Sequence, residues 1–169
     1  MSQSKNKVKW CLNKAEEELK EGGKHRGLVK AKSDLNKARK HLLKAEHFLR
    51  ATIYLKKGNF SDISTSTLFY SMYHCLLAIA AKFGYESRNQ ECTFALVYSL
   101  IEDKKIDFNV NLLNKISFLN PNESSGRTSI EIREQYQYET DLSIKNDELY
   151  EELFELAQKV IDETKGIIG

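Results

Sequence analysis

Apolar and small residues surround one stretch of this chain on every side. From Leu68 to Phe83 only Ser71, His74 and Lys82 interrupt them. A helix that is apolar all round is buried among other helices. The run falls short of the about 20 apolar residues that span a bilayer, so no membrane segment is expected. The pattern predicts the central helix of a soluble bundle, from about Asp62 to Phe83, with Gly84 as its stop.

The remaining elements read as helices packed around it. Val8, Leu12, Ala15 and Leu19 form one stripe of a first helix, Gln3 to Glu21, closed by Gly22-Gly23. Lys24 to Lys32 is a basic connector without periodicity. Ser33 and Asp34 offer an N-cap to a second helix ending at Lys57. Its Leu35, Ala38, Leu42, Ala45, Leu49 and Thr52 alternate steps of three and four, a coiled-coil-like seam. Gly58-Asn59 ends it. Ser87-x-x-Gln90 fits a capping box for a helix to about Glu102, and Asp107 caps a short one carrying Leu112, Leu113, Ile116 and Leu119. The loop Asn120 to Gly126 is the clearest break. Thr128-x-x-Glu131 opens a helix to about Asp141, and Asn146 to Lys165 forms the last, with Leu149, Leu153, Leu156, Val160 and Ile161 inward. No period-2 alternation is long enough for a sheet. The expected fold is all-α, an up-and-down helical bundle with an additional N-terminal helix: residues 1–32 are the helix and connector, 33–169 the bundle, in one compact unit.

Composition changes this picture in two respects. The net charge of +2 hides an asymmetry, since residues 1–57 hold 16 Lys and Arg against 6 Asp and Glu, while residues 58–169 hold 10 against 18. Two readings stay open: a basic surface for nucleic acid, or basic helices neutralised by acidic ones across the bundle. Cys11, Cys75 and Cys92 have no metal-ligand spacing, and read as buried free thiols of a reducing cytosol. The polar, lysine-rich start lacks a signal peptide's apolar core.

Chemistry concentrates around Ile132-Arg133-Glu-Gln-Tyr136-Gln-Tyr138. Arg133 lies in the first two turns of its helix, suited to an anion, and Tyr136 and Tyr138 offer hydroxyls and stacking faces. An ordinary structural role competes: Arg133 pairing with Glu131, Glu134 or Asp141, and Tyr136 in the core. Arg88-Asn89, at the next most plausible anion position, reads as a cap beside a solvated arginine. His74 reads as a hydrogen-bonded core histidine. His41 and His47, six apart, read as surface residues rather than a helical metal pair. No metal site and no cofactor is expected.

The seam helix ending Lys-Lys-Gly-Asn-Phe, the run Leu68-Phe-Tyr-Ser-Met-Tyr-His-Cys-Leu-Leu-Ala, the Gly84-Tyr-Glu-Ser turn, and Arg133 with Tyr138 five residues on together resemble a HEPN domain over about residues 34 to 165. The resemblance implies a cytoplasmic prokaryotic homodimer that binds RNA or a nucleotide, in many cases a metal-independent ribonuclease of a toxin–antitoxin pair with a small nucleotidyltransferase partner. In such a site Arg stabilises phosphorane charge and a following His moves protons. Here the His position carries Tyr138, and Thr140 replaces the tyrosine of the toxin subgroup. A phenol, with a reference pKa near 10, is a weak base at neutral pH, so the motif predicts weakened or lost cleavage. The competing reading is a helical protein–protein interaction module. Residues five apart on a helix differ by about 140° in direction, so a pocket shared by Arg133 and Tyr138 is easier to build across a two-fold axis.

Overall fold

The computed structural model describes residues 1–117 and 127–169. Among these residues, seven helices and one small sheet follow in the order α1 Gln3–Lys20, β1 Leu28–Lys30, α2 Leu35–Lys57, α3 Ser61–Lys82, β2 Tyr85–Ser87, α4 Gln90–Glu102, α5 Val110–Ile116, α6 Ser129–Tyr138 and α7 Asp147–Ile168. The fold is an all-α bundle. The expected loop Asn120 to Gly126, and Leu119 of the fifth helix, lie outside the described residues.

The helix that is apolar on all sides is the centre. α3 packs against α2, α4, α6, α7 and β2, and Leu68, Phe69, Met72, Cys75, Leu76 and Ile79 are fully buried. At 22 residues it has the expected length, and on length and composition alone it could cross a membrane. Instead, most of it is enclosed by the other helices. The α2–α3 seam forms on the predicted positions from Ala38 onward: Ala38, Ala45 and Thr52 are buried, Leu42 and Leu49 pack partly buried against the core, and Leu35 is exposed. Small residues there let the two backbones approach, and three hydrogen bonds cross the seam. Ser71 Oγ donates to the Ala45 carbonyl at 2.7 Å, Thr52 and Thr67 hydroxyls meet at 2.7 Å, and His41 meets His74.

Caps follow the rule for short polar side chains, though not always at the predicted residue. Asp34 accepts from Lys37 N at 2.8 Å, and Thr128 and Glu131 form the reciprocal capping box. Asn89, not Ser87, caps α4, because Ser87 is taken up in β2. Asn109, not Asp107, caps α5. α6 stops at Tyr138, short of Asp141.

The basic connector is not structureless. Its β1 pairs antiparallel with β2, Leu28 opposite Ser87 and Lys30 opposite Tyr85. Three residues are too few for an alternation visible in sequence, and the partner lies far along the chain. Gly84 makes the return: its φ is +77°, and a Cβ there would come within 2.8 Å of the Ala31 carbonyl oxygen.

The expectation of three free thiols is corrected. Cys11 of α1 and Cys92 of α4, both fully buried, form a disulfide; only Cys75 is free, and burial pushes its thiol up to about 12. On α1, Cys11 and Ala15 are the buried stripe, with Val8 and Leu12 partly covered, whereas Leu19 is exposed. The disulfide and the β1–β2 ladder join residues 1–32 to the bundle. Some of the charge asymmetry is neutralised internally. Lys5 meets Asp103 at 2.5 Å, Lys7 meets Glu91 at 2.9 Å, and Lys56 meets Glu151 at 3.5 Å.

Candidate functional site

α6 carries the predicted Arg-Tyr-Tyr motif against one side of α3, and its three residues take different directions. Arg133 is turned inward, 9% exposed, with its guanidinium carbon 4.3 Å from the Phe69 ring centre and 5.9 Å from that of Tyr70. Tyr136 is half-buried and faces a groove it lines with Ile132, Leu149 and Leu153 between α5, α6 and α7. Tyr138 is 78% exposed. Within one chain the three do not share a pocket.

Arg133 has an unusual electrostatic position. Its Nε is buried and lacks a hydrogen-bond partner among the described residues. Of its three expected partners only Glu134 forms an ion pair with it, a long one at 3.9 Å; Glu131 and Asp141 do not. Glu131 is occupied by the capping box. The ring faces of Phe69 and Tyr70 are therefore its main attraction, a cation–π contact that a partly desolvated arginine makes well. A buried cation with spare donors is the chemistry of an anion site.

From Arg133 a line of rings continues across α3 to α2. Tyr70 lies 5.8 Å from Phe48, and Phe48 stacks on His74 at 5.5 Å. His74 then meets His41, with Nδ1 to Nδ1 3.0 Å. Lys44 sits 5.2 Å over the Phe48 ring. His74 is hydrogen-bonded as expected but only half-buried, and His41 is half-buried rather than a free surface residue. They are a part-exposed pair joining α2 to α3. Burial, the His41 ring and Lys44 lower the His74 pKa to about 4, and burial and Lys37 lower that of His41. Sequence spacing could not reveal this pair, because its members belong to different helices. The only signal was that His74 and Tyr70 stand four apart, on one face of α3.

Arg88 and Asn89 belong elsewhere. Arg88 is tied to Glu86 at 3.1 Å, in a cluster with His25 at 3.3 Å and Lys37 at 3.8 Å. The hydrogen bond from His25, ahead of the nearby cations, holds the Glu86 carboxyl below the usual range. Asn89 is committed to capping Cys92 N at 3.0 Å. Both lie beyond the C-terminal end of α3, roughly 20 Å along that helix from Phe69 at 1.5 Å per residue.

Among the described residues no group of three or more His, Cys, Asp or Glu could hold a metal ion. No protein-family model, curated protein or solved structure matches the chain.

Proposed function

We propose that the protein binds single-stranded RNA, or a nucleotide, across the face formed by α2, α3 and α6, with Arg133 as the phosphate anchor. The observation that carries this reading is Arg133 itself, nine-tenths buried over Phe69 with an unpartnered Nε. A buried charge whose single carboxylate contact is long and whose Nε donor is unused costs stability, and an anionic ligand offsets that cost. Tyr70 and Phe48 add ring faces on which bases stack whatever their sequence, and Lys37 and Lys44 add positive charge on the same side of α2. The HEPN resemblance agrees in ligand class. It adds a cytoplasmic homodimer, in which a second copy brings Tyr136 and Tyr138 toward Arg133, and a small nucleotidyltransferase as partner.

Exposed apolar residues favour a second reading. Leu43, Tyr54, Phe60 and Ile63 are each 47–78% exposed on α2, α3 and their connection, as in a helical module that docks another protein.

Fluorescence anisotropy with a labelled RNA oligonucleotide separates the two. The RNA reading expects binding whose logarithm falls linearly with log salt, weakened about tenfold or more in Arg133→Met. Binding absent at low salt, or unaffected by that substitution, leaves the docking module.

A further inference from the structure

We propose that the outward face of α2 docks the protein on an anionic lipid bilayer. The RNA reading uses another flank of that helix, through Lys37, Lys44 and Phe48, and neither depends on the other.

α2 carries two stripes. Its seam turns toward α3, and a second stripe repeats on the far side: Lys40, Leu43, His47, Arg50, Tyr54 and Lys57, in steps of three and four. At about 100° per residue, Tyr54 points about 180° from the buried Ala45, and Leu43 about 160° from it. All six residues are exposed, Leu43 by 63% and Tyr54 by 78%. From Lys40 to Lys57 the stripe runs about 25 Å.

Charge on this face has one sign. Arg39 flanks Lys40, and among the described residues none of Arg39, Lys40, Arg50 and Lys57 makes an ion pair. The cations of α2 that do are Lys37, with Glu86, and Lys56, with Asp147 and Glu151. Glu46, the only acid within α2, is turned to Lys165 of α7 at 2.7 Å. The positive field of the stripe is therefore unopposed and attracts a polyanion.

The apolar members of the stripe decide which polyanion. A second copy of the same face would set cation against cation. A single-stranded nucleic acid is held in a positively charged groove, whereas the outer side of one helix is convex, and Leu43 offers a phosphate backbone nothing. An anionic bilayer matches both features. Its headgroup phosphates and carboxylates meet the lysines and arginines, and exposed leucine and tyrosine enter the boundary between headgroups and acyl chains. Tyrosine suits that boundary because its ring is apolar and its hydroxyl stays wet. Phe60 and Ile63, 54% and 47% exposed, add apolar surface at the Tyr54 end of the helix. The attachment is peripheral, since α3, the one described helix apolar enough to cross a membrane, is mostly enclosed by the bundle.

The test is co-sedimentation of the full chain with vesicles of phosphatidylcholine alone and of equal parts phosphatidylcholine and phosphatidylserine. Wild type is expected on the mixed vesicles and not on the neutral ones, with binding that weakens as salt rises. Lys40→Gln with Arg50→Gln should weaken it about tenfold or more. Leu43→Ser with Tyr54→Ser keeps every charge and should also weaken it about tenfold. All four side chains are exposed, so neither variant disturbs the core. No binding to the mixed vesicles, or equal binding to both kinds, overturns the proposal and leaves these apolar residues to the protein-docking reading. Vesicle binding unchanged by the glutamine pair places the contact elsewhere and overturns it. Binding that survives the serine pair is attraction by charge alone and overturns the bilayer as occupant. Labelled RNA whose affinity falls with the glutamine pair, while vesicles go unbound, gives the face to nucleic acid instead.

Discussion

Cys11 and Cys92 stand 81 residues apart in the chain and form a disulfide. The bond closes a loop that runs through α2 and α3. α1 otherwise holds to the bundle through α4 and β1, so this crosslink anchors most of the N-terminal unit. Cross-linking a loop of that length removes conformational freedom from the unfolded chain worth on the order of 4 kcal/mol. Cys92→Ser, or wild type in strong reductant, is therefore expected to unfold at a lower temperature. Proteolysis should then cut first between α1 and α2. Alkylation of the protein immediately on cell lysis measures how much of the bond exists in the compartment where it resides, which also tests the cytoplasmic assignment.

Arg133→Met should separate function from stability. The substitution removes a cation whose Nε has no partner and places an apolar chain of similar length over Phe69. Losing the ring contact costs about 0.5–2 kcal/mol, while relieving an unsatisfied buried donor returns about 1–3 kcal/mol. Thermal melting is expected to be unchanged or raised. A melting temperature several degrees below wild type would show Arg133 to be a structural residue.

Acid should loosen the α2–α3 seam. Both histidines have folded-state pKa values below their ordinary 6.5, that of His74 about 4. Folding thus favours their neutral forms. Their contribution is fully present above pH 6.5 and declines as pH falls from there toward 4. The bond between their Nδ1 atoms tolerates one added proton and not two, because two imidazolium rings leave no acceptor at Nδ1. Melting temperature should fall with pH across this window, and fall less in His74→Asn. Equal slopes for the two proteins would remove the pair from the acid response.

Gly84→Ala is expected to destabilise by about 1–2 kcal/mol. The backbone there is left-handed, and the new methyl would meet the Ala31 carbonyl oxygen at 2.8 Å. The same residue's carbonyl accepts from Ala31 N at 2.8 Å, so the damage should reach β1. Urea denaturation measures it; a change under 0.3 kcal/mol would mean that the turn relaxes freely.

What could be read from the chain divides by distance along it. The 3-4 spacing from Ala38 to Thr52, the all-round apolar run into α3, and the Thr128–Glu131 box are local patterns, and all formed where expected; Leu35, the first seam position, is exposed. β1, the Cys11–Cys92 bond and the His41–His74 contact depend on residues brought together by the fold, and no window of sequence contains both partners. Arg133 was legible as an arginine near a helix start. That it would keep only the long contact to Glu134 was not, because Glu131 is turned away by its own cap. The placement of Tyr138 follows from the angular step along α6, which carries it out to solvent.

A seam of leucines and alanines repeated every three and four residues can slip by a turn and still match itself. The three polar contacts across the α2–α3 seam cannot: Ser71 reaches one carbonyl, Thr52 one hydroxyl and His41 one ring. A slip of one turn, about 5.4 Å, would break all three together. The alignment of α2 and α3 is thus locked by side chains. Sequence drift at His41 or His74 would therefore blur the alignment of these two helices.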